Sequence, residues 1–180
     1  MILLEEIKSM INSGNLEDKI HGLSQLNKVF DEFSILAANT LEQAQDKLFI
    51  SEQIYYLHTA ISKKLNALFD STNNKELKIY IALILYTGSS EVKFKSLLLE
   101  ELSNPIWSRA EIALHKLVQR QTEEAIPIII RLLEEVPFKE VNKVVMLLNA
   151  LNSFDVKIPT HISNKLSSQP ISQQIKDFLQ

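Results

Sequence analysis

No cysteine occurs in the 180 residues, which removes disulfides, thiolate metal sites and cysteine nucleophiles at the outset. Glycine and proline are scarce, at three and five residues, against average usage of roughly 7% and 5%. Sheet proteins need glycine-rich turns and nucleotide-binding folds need glycine-rich loops, so both classes are disfavoured. Neither charge dominates, with 19 Lys and Arg against 22 Asp and Glu and a formal net charge of −3. Phosphate affinity is built from clustered Lys and Arg, so this balance argues against a nucleic-acid partner, although a local basic patch stays open. Apolar runs such as Ile79 to Tyr86 are far too short to cross a bilayer. The opening Met1-Ile-Leu-Leu-Glu-Glu6 carries acids where a signal peptide carries basic residues. The expectation is a soluble cytoplasmic protein with no membrane partner.

What is present is an ordinary globular composition, 46% apolar and 23% charged, over a length that suits one domain and a substantial core. Apolar positions recur at helical spacing almost throughout, so the fold class is all-α. A first helix is expected over Ile2 to Ile11, ending at Asn12, Ser13 and Gly14. Asn15 then caps a second, with Asp18 at the far end of a box-like pattern and an apolar stripe of Leu16, Ile20, Leu23, Leu26, Phe30 and Phe33. Gly22 sits inside that helix at some cost. Thr40 and Gln43 form a capping box for a third helix, which either continues past Ser51 or breaks there.

Ser71, Thr72, Asn73 and Asn74 favour caps and turns, and mark the end of an N-terminal helical part, residues 1–70, of the single domain. The next helix, Lys75 to Thr87, is apolar all round from Ile79 to Tyr86 and must be buried by neighbours. Gly88 suits a left-handed C-cap to it. Ser90 caps a helix through Phe94, Leu97, Leu98 and Leu102. Asn104 followed by Pro105 opens the next. Thr122 caps another, with Pro127 tolerable only in its first turns. Pro137 precedes a helix over Val141 to Leu151, and Pro159 and Pro170 bracket two short terminal helices.

Part of this pattern repeats. Ile81-Ala82-Leu83 returns as Ile112-Ala113-Leu114, and Leu98-Leu99-Glu100-Glu101-Leu102 as Leu132-Leu133-Glu134-Glu135-Val136, a period a little over thirty residues. Two clear hairpins and a degenerate third from Phe138 occupy residues 74–168, and the polar helix at 169–180 suits a cap. Over about residues 74–166 the chain resembles HEAT-like repeats. The resemblance implies antiparallel helix pairs stacked into a short α-solenoid, with an N-terminal helical cap. Such repeats usually carry an Asp and an Arg or Lys at fixed places. Arg131 fits the basic position, but the matching Asp is absent from every repeat. A generic α-α superhelix or an irregular bundle therefore stays open.

Catalytic signatures are sparse. No two histidines among His21, His58, His115 and His161 share a helical i, i+3 or i+4 spacing, so no metal-ligand pair is legible. No Gly-x-Ser-x-Gly elbow or phosphate loop occurs. No cofactor or catalytic residue is assigned, and the chain is read as not an enzyme.

Candidate binding residues are Glu100, Glu101, Glu134 and Glu135. These sit at matching helix ends, where carboxylates oppose the macrodipole and each other. They form either an acidic ridge for a basic protein partner or a solvated rim whose cost is screened. Glu124, Ile128, Arg131 and Glu135 share one helix stripe, a mixed contact face or an ordinary surface with an Arg131–Glu135 pair. Trp107 is either a contact anchor or packing against the preceding helix.

The leading functional reading is a non-catalytic protein–protein interaction module: a small adaptor, scaffold or inhibitor, with a bacterial toxin-neutralising immunity protein as one form of it. The alternative is a nucleic-acid-acting enzyme on the same scaffold, such as a DNA glycosylase. That reading requires Lys75, Lys78, Lys93, Lys95, Arg109, Lys116 and Arg120 to converge into a basic groove. A third possibility is homo-oligomerisation through the open solenoid end, with the short terminal helix Ile171 to Leu179 able to exchange between protomers.

Overall fold

The computed structural model describes residues 4–39, 44–89, 91–137, 139–167, 173–176 and 178. Among these the fold is all-helical, without a strand. No helix is long and apolar enough to cross a membrane. Two compact units divide the chain, residues 1–97 and 98–180. The boundary falls inside a helix, not at the Ser71–Asn74 cluster.

The first unit contains α1 (Leu4–Asn12), α2 (Leu16–Asn39), α3 (Ala44–Ser71) and α4 (Lys75–Gly88), then the start of α5 (Val92–Leu102). Its entry turn is built from short polar side chains. Asn15 Oδ1 accepts from the Glu17 N–H at 2.8 Å and caps α2. Asp18 takes the Ser13 hydroxyl at 2.8 Å, holding the turn from outside instead of closing a box on Asn15. Thr40, Gln43 and Ser90, the other expected capping residues, lie outside the described residues. α3 runs unbroken past Ser51.

α4 forms the centre of this unit. Asn74 Oδ1 accepts from the Leu77 N–H at 2.9 Å and starts the helix. Leu77, Ile79 and every residue from Ile81 to Tyr86 are then buried. A helix apolar on all sides needs cover on all sides, and both α2 and α3 pack against it. The turn at 72–74 thus lies within the first unit and joins helices that touch.

Two glycines in this unit are close-approach positions. Gly88 is not the left-handed cap expected from the sequence: no described glycine has a positive φ, α4 continues through Gly88, and Ser89 follows in extended conformation. The physical reason for glycine here is His58. A Cβ on residue 88 would lie 2.7 Å from the His58 ring, whose Nε2–H donates to the Leu85 carbonyl at 3.2 Å in the last turn of α4. Likewise a Cβ at Gly22 would meet Met10 Cβ at 2.8 Å and the Ile11 backbone nitrogen at 3.1 Å. The helix propensity lost at Gly22 is therefore exchanged for close contact between α1 and α2.

The second unit holds the end of α5, α6 (Trp107–Gln119), a 3-10 turn (Glu123–Ala125), α7 (Ile126–Glu135), α8 (Val141–Ser153), α9 (Thr160–Ser167) and the four-residue α10 (Gln173–Lys176). Asn104 Oδ1 accepts from the Ile106 N–H at 2.8 Å, so α6 begins two residues later than the Asn-Pro pair implied. Thr122 is buried and precedes the 3-10 turn without a side-chain cap bond to it. α7 starts afterwards, with Pro127 in its first turn.

α6 and α8 share a register. Both are 13 residues long, and they start 34 positions apart, at Trp107 and Val141. Ala110, Ala113, Leu114, Lys116 and Leu117 are buried in α6; Val144, Leu147, Leu148, Ala150 and Leu151 are buried in α8, each 34 positions further on. They also end alike. Gln121 and Asp155 adopt left-handed backbones, φ 49° and 54°. Thr122 and Val156 donate back to Leu117 and Leu151, and Gln121 and Asp155 to Val118 and Asn152. This is the paired Schellman hydrogen-bond pattern that closes a helix C-terminus. α8 thus matches α6 in length, buried positions and C-terminal closure, while Phe138, the expected start of a third hairpin, lies outside the described residues. So do Pro170, Ile171 and Leu179, which leaves the expected terminal helix described only over Gln173–Lys176 and at Phe178.

Candidate functional site

The four carboxylates expected to form a ridge separate into different environments. Glu101 is fully buried. Its Oε1 accepts from Asn104 Nδ2 at 2.6 Å and lies 3.5 Å from Arg109 Nε. Asn104 therefore links Glu101 to the Ile106 N–H, and Glu101 serves the turn from α5 to α6. Removing a partner from such a buried charge is costly, which gives Glu101 a structural role and takes it off any accessible ridge. Glu100, one residue earlier, is exposed.

Glu134 is tied to α9. Its Oε1 accepts from His161 Nε2 at 2.6 Å, and its backbone carbonyl accepts from Lys165 Nζ at 2.8 Å. Glu135 is exposed, with Arg131 Nε 4.0 Å away. Arg131 also donates through Nη2 to Ser103 Oγ at 2.8 Å. The expected stripe is split as well: Glu124 belongs to the 3-10 turn and is exposed, whereas Ile128, Arg131 and Glu135 lie on α7, Ile128 half-buried. Of the seven candidates, Glu100, Glu124, Arg131, Glu134 and Glu135 are exposed, Ile128 is half-buried and Glu101 is buried.

A groove between α6 and α8 brings Trp107 together with Val118, Val145 and Met146, which the sequence pattern did not mark. Two adjoining depressions of about 450 and 650 Å³ share Asn142 and Met146. Leu114 and Ala150 are buried along one of them, and Val118, Val145 and Met146 are half-buried beside them. Trp107, Glu111, Lys139, Glu140 and Lys143 line the other. Trp107 faces α8 on one side, where Lys143 Nζ stands 5.4 Å from its ring centroid and also pairs with Glu140. Glu111 lies 4.0 Å from His115 on the same helix. The chemistry is an apolar floor with a polar rim of mixed sign, suited to holding side chains.

The sequence carried faint signs of both features. Glu101 stands seven residues after Phe94 and one before Leu102, on the stripe that Phe94, Leu98 and Leu102 bury. That places it on the inward face. In α8, Val145 and Met146 fall outside the buried stripe of Val144, Leu147, Leu148 and Leu151. They form a second apolar strip with no partner in the sequence pattern.

The basic residues engage different neighbours. In the first unit Lys78 and Lys93 lie over the Phe69 ring at 5.2 and 5.3 Å, and Lys93 bonds Asp70 at 3.1 Å. In the second unit Arg109 faces Glu101, and Lys116 is buried and donates to Gln119 Oε1 at 3.0 Å. Among the described residues no group of three His, Asp or Glu is placed to hold a metal ion. Comparison with protein-family models, curated proteins and solved structures gives no match.

Proposed function

We propose that the chain is a non-catalytic protein–protein interaction module, an adaptor, scaffold or inhibitor built on HEAT-like hairpins. The observation that carries this reading is the groove between α6 and α8, with Val118, Val145 and Met146 incompletely covered and Trp107 at one end. Apolar side chains left partly open along a groove gain by receiving those of a partner, and a mixed-charge rim supplies register more than affinity. The repeated register of α6 and α8 supports the hairpin reading, because equivalent helices present equivalent stripes. Glu100 and Glu135 offer secondary contacts to a basic surface on the same partner.

The test is recovery of a protein partner from extracts of the source cells by the whole chain, compared with two variants. One carries Val145→Asp and Met146→Asp; the other carries Glu100→Gln and Glu135→Gln, with the buried Glu101 left intact. Circular dichroism establishes that each variant keeps its helices. The expected result is a stoichiometric protein partner, lost with the groove variant and weakened with the charge variant. Undiminished capture by the groove variant would remove the groove from the reading, and recovery of nucleic acid alone would overturn the reading itself.

A further inference from the structure

We draw no further inference here: the strongest candidate, the half-open apolar strip of Val118, Val145 and Met146 between α6 and α8, belongs to the site already described, and nothing in the structure shows which chemical class of partner covers it.

Discussion

The two units bury their apolar residues in different ways. In the first, long helices surround α4, in which eight of 14 residues are buried. In the second, helices of 13 residues or fewer each bury a stripe, and α7 buries only Ile129 and Leu133 of its ten. A helix buried on all sides has no face left for a partner. Helices buried on one stripe leave the others exposed, and α6 and α8 leave an apolar one. The contrast makes α4 the packed centre of its unit and leaves an apolar strip partly open in the second.

The largest effect that would break this comparison belongs to α4. Leu83→Ala removes a fully buried side chain and is expected to destabilise the protein by about 2–5 kcal/mol. Ile128→Ala, at a half-buried site on α7, is expected to cost about 1 kcal/mol or less. Urea denaturation of both variants measures the difference, and equal costs would dissolve the distinction between the two kinds of helix.

Next in size are the glycines. Alanine at an ordinary helical site is worth about 1 kcal/mol over glycine, yet Gly88→Ala drives a Cβ into His58 at 2.7 Å. Overpacking of that kind costs about 1–3 kcal/mol, so the variant is expected to lose about 1 kcal/mol in thermal denaturation. Gly14→Ala, with nothing within 4 Å of the added atom, is expected to change stability by no more than about 0.5 kcal/mol.

Smaller effects sharpen the equivalence of α6 and α8. Asp155→Gly relieves a left-handed backbone worth about 1–2 kcal/mol, offset by about 0.4–1 kcal/mol of chain entropy. A net gain of about 0.5 kcal/mol is expected from its unfolding midpoint. Gln121→Gly should gain less, because the Gln121 amide donates to the Ser153 carbonyl at 3.2 Å and that bond is lost. Smallest is Glu134→Gln, which weakens an exposed pair with His161 and is expected to cost less than about 1 kcal/mol.

How much of this was legible follows from where each signal resides. Asn15 and Asn74 cap the helices they precede, because capping is a matter of a few neighbouring atoms. The burial of α4 was legible for a similar reason: eight consecutive apolar side chains leave no choice of face. Gly88 was misread because glycine serves two needs, a positive φ and a close approach, and His58 is 30 positions away. Glu101 was paired with Glu100 by adjacency, although neighbours on a helix point about 100° apart. Asp155 is of a type that tolerates the left-handed backbone and Gln121 is not, so only the shared hydrogen-bond pattern discloses their equivalence. The groove depends on which faces of α6 and α8 stay open after packing, which periodicity within either helix does not determine.

The central claim, that recognition occurs along the groove between α6 and α8, is tested most directly by site-specific photo-crosslinking in the source cells. A benzoylphenylalanine at position 145 reports on the groove; one at the exposed Val92 serves as a control in the first unit. The account predicts one discrete protein adduct from position 145 and none from position 92. Absence of an adduct at 145, or equal labelling at both positions, would contradict it.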